Sequence, residues 1–454
     1  MTTLLLGVVA DDLSGAAECA AHAYLRVSRS EVILHPAAGR TPDRPVITID
    51  SDSRRLGAAD AAVAAREAAR MVAAATVVVK KVDSLLRGHV AMEVAALAEQ
   101  LDRHPVVCVA NPALGRVVRE GALLVHDAPL GQTGLWAVEG RPAPATVSEA
   151  LAPLPTVLVP LGTVTRGVRA VAEALLAARR EGRVAVCDAE SDADLDTVHA
   201  AAVLAGGEGG ILLVGSGALV DAAVRSLPLD ARRGARAAEP GAEPGGRSAL
   251  FVLGTRATGL PDQLAALAAA HTTHEVRLSP DRLLADPAGV TDELRAARES
   301  RSAARRGLVV TLDPDEPVDP TRSRALTESL ARAVAPVVDA YAAAFLSGGE
   351  TARAVLDRLG VDALEVVGEL GTGTVVSRRP GGALVVTRPG SFGDPTSLVR
   401  VADHLLGPAP DAVMPPAAAT PEPQSAPDTR STTETAPPRP TTRTATGAPT
   451  EENP

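Results

Sequence analysis

The sequence predicts an α/β protein: two α/β domains with mostly parallel sheets and an interdomain cleft, followed by a disordered C-terminal tail. Three observations carry this expectation. Short Val/Ile/Leu runs alternate with Ala-rich helical stretches of roughly 10–15 residues, the pattern of βαβ units. That pattern breaks at 226–247 (SLPLDARRGARAAEPGAEPGGR), a Pro/Gly-rich, aperiodic segment of the kind that links domains. From Pro408 the composition turns to Pro, Thr, Ala and Glu, with too little apolar area to offset the entropy of ordering. The expected division is 1–225, a linker at 226–247, a second domain at 248–407 and a tail at 408–454. The length of 454 residues suits two domains plus a tail.

In the first domain, the runs at 4–10, 46–49, 77–79, 106–110, 157–159, 184–187 and 211–214 read as strands. Their near-continuous apolar character fits strands buried on both faces. The stretches 15–25, 58–74, 90–101, 168–180 and 195–204 read as the intervening helices. In the second domain, strands are expected at 249–253, 275–278, 307–312, 364–367, 374–377 and 383–387. Helices are expected at 261–270, 292–298, 351–359 and 396–406, with a long one at 322–344 interrupted at Pro336.

Composition excludes several functions. The chain carries a formal charge of −10 and six aromatic residues, a poor basis for nucleic-acid binding. No apolar run approaches the ~20 residues of a membrane span. The N-terminus lacks the basic region of a signal peptide, so a cytoplasmic protein without a membrane partner is expected. The three cysteines, Cys19, Cys108 and Cys187, are too widely spaced for a disulfide framework or metal cluster, and the dispersed histidines argue against zinc. A homo-oligomer is compatible with the sequence. Of 45 basic residues only Lys80 and Lys81 are lysines.

Ligands of open α/β sheets bind at the carboxyl ends of the strands. Asp11, Asp12, Ser14 and Gly15 follow the first run, and Asp50, Ser51, Asp52, Ser53 and Arg54 follow the second. Lys80, Lys81, Asp83, Ser84, Arg87 and Gly88 end the third, and Asn111 follows the fourth. In a parallel sheet these would converge. Lys81, Arg54 and Arg87 suit a small anion such as a sugar acid. Asp12 or Asp83 suits sugar hydroxyls, and one of them, Asp12 for preference, could take a proton from an attacking hydroxyl. Asp11, Asp12 and Ser84 would equally serve as helix caps.

In the second domain, Gly348-Gly349-Glu350-Thr351, Gly390-Ser391-Phe392-Gly393-Asp394 and Gly254-Thr255-Arg256-Ala257-Thr258 are glycine turns able to present backbone N–H groups to phosphate. The sequence has neither a Walker A motif nor a GxGxxG after the first strand, which disfavours P-loop kinases and dinucleotide dehydrogenases. The strand VITID followed by Ser51-Asp52 looks like an aspartate-nucleophile phosphatase motif, with Asp50 as the nucleophile.

Taken in order, these motifs resemble the four-carbon acid sugar kinases, that is the 3-oxo-tetronate, D-threonate and D-erythronate kinases. The carriers are Asp11-Asp12-Leu13-Ser14-Gly15-Ala16, Asp50-Ser51-Asp52-Ser53-Arg54, Lys80-Lys81-Val82-Asp83-Ser84-Leu85-Leu86-Arg87-Gly88, Gly348–Thr351 and Gly390–Asp394. Leu85 stands where the family has Thr, and the segments around 111–121 and after Leu130 are shorter than the family's.

The resemblance implies ATP-dependent, Mg2+-assisted phosphorylation of the terminal hydroxyl of a four-carbon sugar acid. The acid would sit on the N-terminal domain and ATP on the C-terminal one. It implies catalytic roles for Asp12, Lys81 and Asp83 and substrate contacts from Asp11, Ser53, Arg54, Ser84 and Arg87. Thr255, Gly348, Gly349, Glu350, Thr351, Gly390, Ser391 and Gly393 would hold ATP, with Phe392 near the adenine. A non-catalytic sugar-acid or nucleotide sensor of the same fold, and the Asp50 phosphatase, are the alternatives.

Overall fold

A computed structural model describes residues 3–407 apart from 28, 37–42, 137–138, 208–209, 229–247, 258, 300–305 and 317–319. The expected tail, and the expected linker beyond 228, lie outside the described residues.

The first half supplies β1 (Leu6–Ala10), β2 (Ser30–Ile33), β3 (Val46–Asp50), β4 (Val77–Lys81) and β5 (His104–Cys108). A small antiparallel meander follows, β6 (Arg116–Arg119), β7 (Ala122–Val125) and β8 (Ala128–Pro129), and then β9 (Thr156–Val159), β10 (Val184–Cys187) and β11 (Ile211–Gly215). Apart from the meander these strands are parallel, in the order β2-β3-β1-β4-β11-β5-β10-β9. Every residue of β1, β3 and β11 is buried, as strands covered by helices on both faces require.

The second half supplies β12 (Ala249–Leu253), β13 (Thr273–Leu278), β14 (Gly307–Leu312), β15 (Ala343–Ser347), β16 (Ala363–Glu369), β17 (Val375–Arg378) and β18 (Leu384–Arg388). Strands β13, β14, β12, β15 and β18 are parallel, while β17 and β16 continue the sheet antiparallel. Strand β16 then pairs antiparallel with β2. The two expected sheets are thus joined into one of 15 strands, and the described residues belong to one compact unit. An apolar cluster crosses the join: Leu13, Ala16, Ala17 and Ala20 of the helix Leu13–Val27 pack with Leu364, Val366, Val375 and Val385. Small alanines let that helix lie close to the sheet.

Two expectations need correction. The long helix ends at Val338, soon after Pro336, and Ala343–Ser347 is strand β15 instead of the helix end. Alanine-rich sequence is helix-prone, but this run is wholly buried between β12 and β18, so tertiary pairing decides. The loop Gly348–Thr351 therefore follows a strand, not a helix. Strand β2 and the meander were also unexpected, being short and without a clear alternation.

The register places the site. Ala10 is level with both Asp50 and Lys81, and Gly215 with Lys81 and Cys108. In the second half Leu253, Ser347 and Arg388 are level. Each set of chain reversals therefore leaves the sheet at one height.

Candidate active site

The strand-end residues of the first half form one charge network. Arg54 donates from Nε to Asp11 Oδ2 (2.7 Å) and from Nη2 to Asp11 Oδ1 (2.9 Å) and Asp12 Oδ1 (2.8 Å). Asp12 Oδ1 also accepts the Gly15 N–H at 3.1 Å, so the cap and the site are the same carboxylate. Asp83 accepts from Arg87 Nε (2.7 Å) and Nη2 (2.8 Å) and from the amides of Leu85 and Arg87. Burial alone would raise Asp83, but the Arg87 hydrogen bonds and the Arg54, Arg87 and Lys81 charges hold it well below the usual carboxylate range. Both of its oxygens are taken up by Arg87, which it anchors. Burial opposes the charge on Lys81 too, yet Glu18, Cys19, Asp12 and Asp11 outweigh it and raise the ammonium's pKa.

The paired lysines diverge because successive strand side chains face opposite sides. Lys80 is fully buried, its Nζ 3.3 Å from Glu93 Oε2, and Ser53 Oγ donates to the same carboxylate. Lys81 instead lines a cavity of about 300 Å³ with Asp12, Ser14, Glu18, Arg54, Asp83, Ser84, Arg87, Asn111, Arg116, Ser391 and Phe392. Two of the expected substrate ligands do not line this cavity. Asp11, with both oxygens held by Arg54, and Ser53, bonded to Glu93, stand behind the cavity wall. Phe392 lines this cavity.

Glu18 and Arg116 were missed. Glu18 lies one helical turn beyond Ser14, a spacing that shares a face. Arg116 reaches Ser84 across the fold from the meander, and nothing local in the sequence signals that contact.

The glycine turns of the second half meet this cavity. A Cβ on Gly349 would lie 2.6 Å from Ser14 Oγ and 3.5 Å from Asp12 Oδ2, so the absence of a side chain permits the close approach. Gly348 has φ +100° and donates its N–H to the Arg388 carbonyl at 2.8 Å. Gly349 opens the helix Gly349–Arg358, whose free N–H groups and dipole favour an anion.

A second cavity of about 220 Å³ joins Asp12, Ser14, Arg54 and Arg87 to Gly349, Glu350, Gly390 and Ser391. Thr255 and Thr351 line a further one of about 290 Å³ with Gly254. Thr255 also borders a cavity of about 720 Å³ walled by Ala257, Leu260, Leu264, Ala265 and Leu312. Gly348 packs beside Gly390. Gly393 lies against Arg388 and Ser397, not on these cavities.

Two family models match the chain: one described as a sugar-binding N-terminal domain matches residues 6–223, and one described as a nucleotide-binding C-terminal domain matches 250–398. A D-threonate kinase of Cupriavidus necator is 33% identical over 86% of this chain and 95% of its own. The chain belongs to the four-carbon acid sugar kinase family. A 3-oxo-tetronate kinase of Methylobacterium radiotolerans is 32% identical over 89% of this chain and 100% of its own. A D-erythronate kinase of Heliobacterium modesticaldum is 27% identical over 88% and 96% respectively. The solved structure of a Salmonella typhimurium LT2 protein, at 21% identity, aligns over 88% of this chain and 99% of its own with a TM-score of 0.72, a likeness of fold.

Asp50 lines none of these cavities. It is fully buried, its Oδ2 accepts from Arg353 Nη1 at 2.8 Å, and its Oδ1 accepts the Asp52 N–H at 2.9 Å. Neither oxygen is open to a phosphoester, which removes the phosphatase alternative. Among the described residues no group of three His, Cys, Asp or Glu is placed to hold a metal, and no helix is long and apolar enough to cross a membrane.

Proposed function

We propose that this kinase transfers the γ-phosphoryl group of ATP to the terminal hydroxyl of a four-carbon sugar acid of the threonate, erythronate or 3-oxo-tetronate class. The observation that carries the reading is the approach of Gly349, at a helix N-terminus, to Asp12 and Ser14. A phosphoryl donor held by the Gly348–Thr351 amides and a hydroxyl held at Asp12 meet there.

Asp12 Oδ1 is held by Arg54 and Gly15, leaving Oδ2 on the side of Gly349 to accept the hydroxyl proton. The new bond joins the sugar oxygen to γ-phosphorus, and the bond from γ-phosphorus to the bridging oxygen breaks, so the electron pair leaves with ADP. Arg54, which lines both cavities, adds positive charge beside the transferred group, and Lys81 supplies a cation to the acid's own cavity. The cavity walled by Leu260, Leu264 and Leu312 suits a flat apolar base.

Mg2+ usually uses one or two carboxylates plus substrate phosphates instead of an all-protein cage, and Glu350, on the cavity with the glycine turn, fits that sparse role. When bound it would neutralise phosphate charge. The division of work follows 1–225 for the acid and 248–407 for the nucleotide, in a cytoplasmic protein.

An ADP-release assay against sugar acids of differing chain length tests the reading. Turnover is expected to peak at four carbons, and Asp12→Asn is expected to lower kcat by roughly 10²–10⁴-fold. Absence of ADP release with every four-carbon acid would overturn it.

A further inference from the structure

We propose that Arg116, on the meander, grips the substrate's carboxylate and so fixes which end of the acid faces the phosphoryl donor; this rests on the kinase reading above. Four cations line the 300 Å³ cavity: Arg54, Lys81, Arg87 and Arg116. Arg54 is committed to Asp11 and Asp12, and Arg87 to Asp83 through two parallel hydrogen bonds. Among the described residues, Lys81 and Arg116 have no carboxylate partner within ion-pair distance. Arg116 Nη1 donates to Ser84 Oγ, while its Nε is buried without an acceptor. A buried guanidinium N–H left unpaired is costly, and a carboxylate is the acceptor that matches its fork.

The residue is also rigidly placed. Arg116 and Asn111 exchange backbone hydrogen bonds (Asn111 N–H to Arg116 O 2.7 Å, Arg116 N–H to Asn111 O 3.1 Å). The preceding Gly115 has φ +63°, and the His126 ring packs where its side chain would be. The His126 N–H closes the turn on the Gly115 carbonyl at 2.7 Å.

Position gives the direction. Arg116, Lys81 and Ser84 line the 300 Å³ cavity but not the 220 Å³ cavity, which holds Gly349 and Gly390, whereas Asp12 and Ser14 line both. The reacting hydroxyl belongs at Asp12, next to the glycines. The carboxylate belongs at the other end, against Arg116, Lys81 and Ser84.

The test compares wild type, Arg116→Gln and Arg116→Lys on the preferred four-carbon acid and on the uncharged tetritol of the same stereochemistry. Arg116→Gln is expected to raise KM for the acid roughly 10–100-fold, with kcat and KM for ATP changed less than about 3-fold. Its preference for acid over tetritol should fall by a similar factor, with Arg116→Lys intermediate. Retention of the ATP-induced rise in Tm shows that the variants are folded. Wild-type turnover with an unchanged acid preference in folded Arg116→Gln would overturn the role of Arg116 and leave the kinase reading standing. A wild type that neither binds nor phosphorylates any four-carbon acid would overturn both.

Discussion

Two adjacent lysines in a chain otherwise served by arginine do different work, and the strand's period of two separates them. Lys80 lies in the core with Glu93, whose carboxylate also accepts from Ser53. A buried pair contributes little net stability as long as both partners are present, but removing one leaves a charge without compensation. Glu93→Ala is therefore expected to cost about 3–5 kcal/mol by urea denaturation, whereas Lys80→Met with Glu93→Leu recovers most of that loss. A single variant as stable as wild type would show that Lys80 finds other partners. Lys81, one residue on, faces the cavity, and its charge is sustained by Glu18, Asp12 and Asp11 against the cost of burial.

At the scale of elements, the site is made where a helix start in one half meets a helix start in the other. Gly349→Ala places a methyl 2.6 Å from Ser14 Oγ, closer than nonbonded atoms tolerate, so the turn or the hydroxyl must shift. A misplacement of this size at reacting groups costs about 10²-fold in rate. The variant is expected to lose about that much kcat while keeping its melting temperature within a few degrees, and unchanged steady-state kinetics would refute the close approach. The strand ends that make this meeting were legible because Val/Ile/Leu runs buried on both faces announce themselves, and the polar residues after them are then placed by the register. Strand β15 was not legible, since Ala343 and Ala344 satisfy a helix as readily as a strand until β12 and β18 pair with them. Arg116 was hidden for a related reason. Its partner Ser84 lies 32 residues away, and the meander that carries it is too short to show a period. The Asp-Asp, Lys-Lys and Gly-Gly motifs were readable one by one. Which of their members face the cavity and which brace it from behind, as Asp11 and Ser53 do, depends on packing.

For the whole molecule, the joined sheet makes the two halves mechanically continuous, and Arg353 is a polar tie across that continuity. From the helix that opens at the Gly-Gly turn it donates to the Asp50 carboxylate (2.8 Å), the Asp50 carbonyl (3.3 Å) and the Leu34 carbonyl (2.9 Å). Burial pushes Asp50 up to about 7, with Arg353 resisting, compared with ~3.9 for an unfolded aspartate. Between those two values the folded state binds more protons than the unfolded state, so the contribution of Asp50 to stability declines as pH rises. It is fully present below pH ~4 and lost above the folded value. Asp50→Asn holds the site in a neutral form at every pH. The stability of wild type relative to Asp50→Asn is therefore expected to fall between pH 5 and pH 8, by on the order of 1 kcal/mol or more. Denaturant titrations of both proteins at the two pH values measure this directly. A difference that stays constant, or that grows with pH, would mean that Arg353 keeps Asp50 ionised throughout and that the tie between the halves is an ordinary ion pair.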